Sequence, residues 1–243
     1  MRTYLECIPC FFKQALEAAK ICGAEESVQK KILDNVAKIL PEFTLDSSPP
    51  EMGRIIHKLV KQYTGQKDPY MAIKEESNRF ALGIYDELKK KVKDSDDSLL
   101  TAVKFAIAGN IIDYGVKNSL NVEEELKKIL EEEQRTIEYE DKKFFSYDKF
   151  REKLKKSKNI LYLADNAGET VFDRVLIEEL KDMGKDIVYA VKEEPIINDA
   201  LALDAILCGI DNTARITSSG VDSPGTILSL VQEILFNCTS RLI

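Results

Sequence analysis

The stretch NILYLADNAGET, residues 159–170, decides how the second part of the chain is interpreted. Its first six residues form a short apolar run with β-branched and aromatic side chains, which is typical of a buried strand. The run ends abruptly in Asp165 and Asn166, and Gly168 and Glu169 follow. An acid, an amide and a second acid at the end of a buried strand indicate either a helix cap or a ligand site.

Two more units of the same kind follow. DIVYAVK (residues 186–192) and ARITSS (residues 214–219) predict strands, and a helical pattern follows each of the three strands. The predicted helices cover residues 170–184, 196–209 and 223–235. Strands that alternate with helices form a parallel sheet through right-handed crossovers. We therefore predict an α/β fold with a Rossmann-like three-layer α/β/α core of parallel strands.

The first part of the chain has a different pattern, with apolar residues at helical spacing. The segment SSPPE at residues 47–51 is typical of a helix start, with Ser48 as the N-cap, proline in the first turn and Glu51 completing a capping box. We predict an all-helical N-terminal region or cap over residues 1–155 and the Rossmann-like core over residues 156–243.

The bulk composition restricts the class of protein. The 243 residues carry a net charge of −7, which disfavours a general nucleic-acid binder because such proteins need a basic surface. No apolar run predicts a transmembrane helix and the N-terminus has no signal-peptide pattern, so we expect a cytoplasmic protein. The five cysteines favour free thiols, and the CxxC pair of Cys7 and Cys10 is expected to pack on a helix rather than bind zinc. His57 is the only histidine, so a multi-histidine metal site is disfavoured.

Polar side chains follow all three predicted strands, at the edge of a parallel sheet where ligands bind. Asp165 and Asn166 follow the first strand, Lys192 ends the second, and Asp199 lies shortly beyond it. Carboxylate and amide oxygens favour Mg²⁺, Mn²⁺ or a similar ion, so Asp165, Asn166 and Asp199 are candidate metal ligands. Taken singly, each of these residues is explained as well by a helix cap.

A third polar cluster follows the last strand, in SSGVDSPGT at residues 218–226. Ser223, Gly225 and Thr226 lie at a predicted helix start, where backbone N–H groups and a hydroxyl bind anions. Together with Lys192 they would offset the negative charge of a phosphoryl group. An ordinary helix start explains the same residues when they are considered alone.

Two features of the helical region have both a structural and a functional interpretation. Asn110 lies inside the apolar stripe of FAIAGNIIDYG and is predicted to be a buried amide, either paired with another helix or part of the site. Lys74 and Asn78 share one face of a helix that starts near Asp68. We expect Lys74 and Asn78 to lie on the surface.

These motifs together resemble those of the damage-control phosphatases, the family long labelled domain of unknown function 89. The similar segments are GNIID (109–113), DNAGE (165–169), KEEPIINDA (192–200) and GVDSPGT (220–226). CIPC and DPY…K…SN in the first part of the chain resemble the stand-alone archaeal and bacterial branch of the family. The resemblance extends over residues 1–229, and the order and combination of the motifs are specific.

The resemblance implies a divalent-metal-dependent phosphatase that hydrolyses small phosphometabolites, such as sugar phosphates or damaged cofactor intermediates. It implies Mn, Co, Ni or Mg as the cofactor and Asp165, Asn166 and Asp199 as its ligands. The implied catalytic residues are Asp165, Glu169 and Lys192. Contacts with the substrate or its phosphate are implied for Asn110, Ser223, Gly225 and Thr226. The implied partner is a small phosphorylated metabolite, without nucleic acid or membrane.

One segment departs from the family pattern. Family members usually continue past the SPGT helix into a further strand and a turn resembling Lys-Gly-x-x-Asn, which VQEILFNCTSRLI (231–243) does not resemble. We therefore expect either a different branch of the family or a core truncated at its C-terminus.

Other functions stay open at this point. A Rossmann-like methyltransferase or nucleotide-binding protein is disfavoured because no Gly-x-Gly turn follows the first strand. A non-catalytic interaction protein is the third hypothesis. For a phosphatase, direct attack by water and a phospho-aspartate on Asp165 both stay open.

Overall fold

The structure, a computed structural model, describes residues 2–110 and 145–225 together with the single positions Ile227 and Val231. Over these residues a helical N-terminal region precedes strands that alternate with helices, which confirms the predicted α/β fold class. Thr226 and the predicted helix beyond Gly225 lie outside the described residues.

The described residues form eight α-helices and three strands, two short 3₁₀ turns aside. The helices are α1 (Cys7–Ile21), α2 (Glu26–Ile39), α3 (Pro49–Thr64), α4 (Met71–Lys93), α5 (Ser98–Gly109), α6 (Tyr147–Lys156), α7 (Glu169–Asp182) and α8 (Ala202–Leu207). The strands are β1 (Asn159–Leu163), β2 (Asp186–Val191) and β3 (Arg215–Ser218). In the part of the chain that the structure describes, no helix is both long and apolar enough to cross a membrane.

Helix α3 begins where the sequence predicts. The backbone N–H of Ser48 donates to the Glu51 carboxylate over 2.5 Å, and the capping box is complete. This hydrogen bond lowers the pKa of Glu51 below its usual value. At the other end, Gly65 takes a left-handed conformation with φ of 72°, which glycine adopts without the strain of a side chain.

The three strands form one parallel sheet in the order β1-β2-β3. Tyr162 of β1 pairs in register with Tyr189 of β2, and Tyr189 pairs with Ile216 of β3. Because the strands are parallel, their carboxyl ends meet at one edge of the sheet, where the predicted site residues follow.

The larger hydrophobic core joins the helical region to the sheet. Helix α7 packs against α4 and α5 and also lies against β2, so its apolar residues are buried on several sides. Phe105 of α5, Phe172 of α7 and Tyr189 of β2 are among its largest fully buried side chains. The predicted domain boundary near residue 155 stays a prediction.

A second core holds α1, α2 and α3 together, with Ile32, Met52 and Ile56 fully buried in it. Ile197, from the segment that follows β2, also packs against this cluster. The backbone of Ile197 has φ of 45°, which is rare for a β-branched residue. The loop beyond β2 is therefore anchored in the N-terminal helices.

The predicted helix over residues 196–209 is shorter than expected, because α8 begins only at Ala202. The segment before it forms a turn, in which the Asp199 N–H donates to the Ile196 carbonyl over 3.1 Å, and then pairs with the chain after β1. Asn166 and Asp199 form an antiparallel bridge, the Ala200 N–H donates to the Asp165 carbonyl over 2.7 Å, and the Ala167 N–H donates to the Asn198 carbonyl over 2.9 Å. Asp199 therefore lies at the end of a turn, in the bridge to Asn166, and does not cap a helix.

The apolar stripe around Asn110 is not buried as the sequence predicts. Ile107 is 46% exposed, whereas Ala102, Ala108 and Gly109 are buried. A Cβ atom at Gly109 would lie 3.1 Å from Cβ of Phe172, so the small residues allow α5 to approach α7 closely. Close helix contact therefore decides which face is buried here, against the simple apolar stripe.

Candidate active site

The predicted metal ligands meet where β1 and β2 end. Asn166 and Asp199 lie opposite each other in the antiparallel bridge, where directly paired residues have neighbouring Cβ atoms. Asp165 precedes this pair and is exposed, whereas the Asp199 side chain is buried. The structure thus places the Asn166 residue opposite Asp199, from a segment more than thirty positions away, with Asp165 adjacent to Asn166 in the chain.

Glu169 determines the orientation of the Asn166 amide. The amide Nδ2 donates to Oε1 of Glu169 over 2.7 Å, which leaves Oδ1 as the oxygen that Asn166 can offer to a ligand. Glu169 is the first residue of α7 and is buried. A carboxylate that fixes the orientation of a neighbouring oxygen donor is a common arrangement around metal sites.

Lys192 lies beside Asp199. Its Nζ is 3.3 Å from Oδ2 of Asp199, and both side chains are buried. The Lys192 N–H also donates to the Ala200 carbonyl over 3.1 Å, which keeps the end of β2 next to the residue that follows Asp199. A buried cation therefore accompanies the candidate ligands.

Two carboxylates and an amide could hold a hard divalent cation. Among the described residues, no group of three or more His, Cys, Asp or Glu side chains is arranged as a metal site by itself. The candidate set of Asp165, Asn166 and Asp199 contains only two such residues. This set fits an ion such as Mg²⁺, which is often held by one or two carboxylates and completes its octahedron with waters and phosphate oxygens.

The third polar loop is held by α3. The Ser223 hydroxyl, fully buried, donates to the Gly225 carbonyl over 2.6 Å. A Cβ atom at Gly225 would lie 2.9 Å from Cγ of Pro50, and one at Gly53 would lie 2.8 Å from Cγ of Pro224. Residues 223–225 are not helical, and a role for Ser223 as a helix cap stays a prediction.

This loop also contacts the loop that follows β2. The Glu193 N–H donates to the Val221 carbonyl over 3.1 Å, and the Ser218 hydroxyl is hydrogen-bonded to the Glu193 carboxylate. On the other side, Nε of Arg54 lies 2.5 Å from Oδ1 of Asp222. All three strand-end loops thus meet at one edge, as the sequence predicts.

Asn110 does not lie where the sequence predicts. It is the C-cap residue of α5, its side chain is exposed, and its backbone N–H donates to the Ile107 carbonyl over 3.3 Å. The prediction of a buried amide is wrong, because the α5 face that meets α7 is the one with Gly109. A contact between Asn110 and substrate stays a prediction.

The prediction that Lys74 and Asn78 lie on the surface is wrong. Both are only 4% exposed. Nζ of Lys74 is 2.6 Å from Asp68, and the Asn78 amide bonds to the Gly168 N–H and to Asp204. A buried polar network therefore connects α4 with the chain around the site.

Sequence reasoning missed a buried carboxylate behind the site. Asp173 of α7 accepts hydrogen bonds from the hydroxyls of Tyr162 and Tyr189, the latter over 2.7 Å. Burial raises the pKa of Asp173 to about 6, the two hydrogen bonds oppose this shift, and the nearby charge of Asp165 adds to it. The available signal was an acid flanked by apolar residues in the buried helix TVFDRVLIEEL.

The CxxC pair lies at the start of α1, as expected. Cys7 is partly buried and packs against the N-terminal core, which supports the packing interpretation for this residue, whereas Cys10 is exposed. Neither belongs to a metal-ligand group within the described residues.

Comparisons with known proteins agree with the family resemblance. A family model described as the damage-control phosphatase ARMT1-like domain matches residues 3–241. An uncharacterized protein of Methanocaldococcus jannaschii is 34% identical over 232 residues, which cover 94% of this chain and 74% of that protein. A protein of Pyrococcus horikoshii named as a damage-control phosphatase is 32% identical over 236 residues, covering 96% of this chain and 78% of that protein.

A solved structure has the same fold. The crystal structure of a domain of unknown function 89 family protein from Pyrococcus horikoshii superposes with a TM-score of 0.87 and 25% sequence identity, covering 100% of this chain and 82% of that chain. The family model extends over nearly the whole chain, and relatives above 30% identity cover more than nine-tenths of it. The chain therefore belongs to the damage-control phosphatase ARMT1-like family.

Proposed function

We propose that this protein is a divalent-metal-dependent phosphatase that hydrolyses small phosphorylated metabolites, such as sugar phosphates or damaged cofactor intermediates, in the cytoplasm. The observation that carries the proposal is the meeting of Asp165, Asn166, Asp199 and Lys192 at the carboxyl edge of the sheet. Membership of a family whose relatives are named damage-control phosphatases supports the same reaction class.

The proposed metal ligands are Asp165, Asn166 and Asp199, with Mn, Co, Ni or Mg as the ion. When bound, such an ion supplies Lewis-acid stabilisation of phosphoryl oxygens and lowers the pKa of a bound water. Glu169 keeps the Asn166 amide turned so that its oxygen is available. The exposed Asp165 carboxylate is accessible to a substrate, whereas the buried Asp199 is held in place by its neighbours.

Lys192 carries the positive charge of the proposed site. Its ammonium pairs with Asp199, which keeps that carboxylate oriented, and it adds positive charge where a phosphoryl group would be bound. The backbone of the Ser223–Thr226 segment would bind the remaining phosphate oxygens. Helix α3, which contacts this loop at Pro224 and Gly225, would form one wall of the substrate pocket.

The proposal is tested by phosphate release from a panel of sugar phosphates and phosphorylated cofactor intermediates, with Mg²⁺, Mn²⁺, Co²⁺ or Ni²⁺ present and after chelation. We expect metal-dependent release that Asp165→Ala and Asp199→Asn each lower by at least about a hundredfold, since the ions stabilise most of the developing charge.

The matched control is Asp186→Ala. Asp186 is also an exposed aspartate at a strand end, but it begins β2 and lies at the opposite edge of the sheet. Its removal should leave release unchanged. Release that survives chelation or Asp165→Ala would contradict the proposal, and saturable binding of a nucleotide without metal would favour the nucleotide-binding alternative.

A further inference from the structure

A buried polar chain runs from α4 to both segments of the candidate site. Its centre is the Asn78 amide, which is 4% exposed and uses both of its polar atoms. Oδ1 accepts from the Gly168 N–H over 2.7 Å, and Nδ2 donates to Oδ1 of Asp204 over 2.8 Å. An amide suits this position because it accepts and donates at once without carrying a charge.

The second link of the chain is Asp204. Its Oδ2 accepts from the Leu201 N–H over 2.9 Å and lies 3.7 Å from Nζ of Lys74. Lys74 is itself held by Asp68, at 2.6 Å. Asp204 therefore joins the start of α8 to α4, and its negative charge faces a buried cation.

The two ends of this buried polar chain lie beside the proposed metal ligands. Gly168 lies between Asn166 and Glu169, the pair joined by the amide–carboxylate hydrogen bond. Leu201 lies two residues after Asp199. The Asn78 carboxamide and the Asp204 carboxylate thus hold the polypeptide backbone on both sides of the bridge between Asn166 and Asp199.

Helix α4 also shapes the first of these segments by close contact. Gly168 has φ of 82°, and a Cβ atom there would lie 2.9 Å from Cβ of Ser77, next to Asn78. The turn that follows Asn166 is therefore packed against the backbone of α4 as well as hydrogen-bonded to it. This contact requires glycine and fixes the turn at the point where the Asn78 bond is made.

We infer that Asn78 is a positioning residue, which acts through Gly168 and Asp204 to hold Asn166 and Asp199 at the spacing that one divalent cation requires. The inference rests on the proposed metal-dependent function for the identity of the ligand. We call the hydrogen bond from the Gly168 N–H to Asn78 the clamp. It protects the Gly168 amide from hydrogen exchange, which is measurable without any metal.

The test compares Asn78→Ala, Asn78→Asp, Asp204→Asn and the double exchange of Asn78→Asp with Asp204→Asn. In the double exchange the carboxylate at position 78 accepts from Gly168 and from the amide at position 204, whose oxygen still accepts from Leu201. The Gly168 and Leu201 N–H groups therefore keep their acceptors, and only the hydrogen bond between positions 78 and 204 reverses its direction. Asn78→Asp alone places two carboxylates against each other and should disrupt the pair.

Three measurements are made on each variant. Hydrogen exchange of the Gly168 amide, followed by NMR in the metal-free protein, reports the clamp. Calorimetric titration with Mn²⁺ reports metal affinity, and phosphate release gives kcat and KM. We expect Asn78→Ala to speed exchange at Gly168 and to lower Mn²⁺ affinity and kcat by about 10–100-fold, the usual range for residues that orient ligands.

The double exchange should restore slow Gly168 exchange and most of the Mn²⁺ affinity that either single change removes. This reciprocal rescue keeps the inference testable even if Asn78→Ala fails to fold. Two controls on α4 separate positioning from general stability. Arg79→Ala alters the exposed neighbour, and Leu88→Ala weakens the buried core two and a half turns further on. Leu88→Ala should lower the melting temperature while leaving Mn²⁺ affinity unchanged at temperatures where it is folded.

Unchanged Gly168 exchange in both Asn78→Ala and Asn78→Asp would overturn the clamp. Faster exchange with unchanged Mn²⁺ affinity, or an equal loss of affinity in Leu88→Ala, would overturn the positioning role. If the wild-type protein binds none of Mn²⁺, Co²⁺, Ni²⁺ and Mg²⁺, the proposed function fails and the positioning role fails with it, whereas protection of Gly168 by Asn78 would still be seen.

Discussion

Nζ of Lys192 lies 3.3 Å from Oδ2 of Asp199, and the two side chains are only 7% and 5% exposed. A second lysine–aspartate pair beside the same sheet, Lys158 and Asp186, is separated by 3.9 Å with side chains 79% and 63% exposed. The two pairs connect the same residue types at opposite edges of one sheet, and they differ mainly in burial. Removal of one partner from a buried pair is costly because the other charge stays in a poorly solvated place.

We therefore predict that Lys192→Met lowers the free energy of unfolding by about 3–5 kcal/mol. Lys158→Met, the surface control, should change it by less than about 1 kcal/mol. Urea unfolding near neutral pH measures both. Equal effects of the two substitutions would show that Lys192 does not act as the buried counter-ion of Asp199.

Substitution by alanine should have opposite effects at two helix glycines, Gly83 and Gly53, because only Gly53 contacts the Ser223–Gly225 loop. Gly83 lies in α4 with nothing within 4 Å of an added Cβ atom, so Gly83→Ala should stabilise the protein by about 0.5–1 kcal/mol through the better helix propensity of alanine. At Gly53 the same atom would lie 2.8 Å from Cγ of Pro224, whose ring is rigid.

Gly53→Ala should therefore displace the loop, lower the free energy of unfolding and raise KM for phosphorylated substrates. The free energy is measured by chemical unfolding and KM by phosphate release, with Gly83→Ala as the control in both. A stabilised Gly53→Ala variant with unchanged KM would mean that α3 does not hold this loop in place.

Asp173 predicts a pH dependence of stability. Burial raises its pKa to about 6 from 3.8, so the folded state binds the proton more tightly than the unfolded chain. Protonated Asp173 therefore stabilises the folded state, and its contribution to the free energy of unfolding is about 3 kcal/mol. This contribution is complete below about pH 4 and is lost as the pH rises through about 6.

Asp173→Asn removes this titration while keeping a polar side chain between the Tyr162 and Tyr189 hydroxyls. Unfolding free energies of the wild type and the variant, measured from about pH 4 to about pH 8, should diverge over this window, with the wild type losing stability relative to the variant. Parallel curves would contradict the raised pKa of Asp173.

His57 predicts a second, independent titration. It is 2% exposed, and its Nε2 has no hydrogen-bond partner within the described part of the protein. Burial, and secondly the charge of Lys61, lower the pKa of His57 to about 4 from 6.5, so the folded state keeps the ring neutral. Its contribution to stability is present above about pH 6.5 and is lost as the pH falls through about 4.

The chain contains a single histidine, so its imidazole NMR signals need no assignment. These signals should stay constant on lowering the pH from about 8 to about 5 in the folded protein. A midpoint near the usual value of about 6.5 would show that His57 is hydrated or paired in solution.

The sequence predicted the α/β alternation correctly because period, length and flanking residues are local properties. β1, β2 and β3 fall where β-branched and aromatic runs occur, and α7 ends shortly before Gly184 as expected. The convergence of the polar loops was also predictable, since parallel strands end at the same edge. The placement of Asp165, Asn166, Asp199 and Lys192 near this edge follows from the same rule, and their roles in a site stay a prediction.

Burial of polar residues was not predictable, and it produced the errors. Lys74 and Asn78 look like an exposed helix face, yet the partner of Asn78 in the core, Asp204, is 126 positions away in sequence. Asn110 looks buried by its apolar neighbours, but α5 turns its small residues toward α7. In each case the deciding contact comes from a distant element.

The strands, most of the helices, the family and the edge of the sheet at which polar residues gather could all be predicted from the amino-acid sequence, because they depend on short-range patterns and motifs. Three relationships became visible only once the chain was folded: Asp199 lies opposite Asn166, Lys192 is its buried partner, and Asn78 connects both sides of this pair to α4. The physical reason is that a buried polar group must find its hydrogen-bond partners, and here the fold supplies them from segments far apart in the chain.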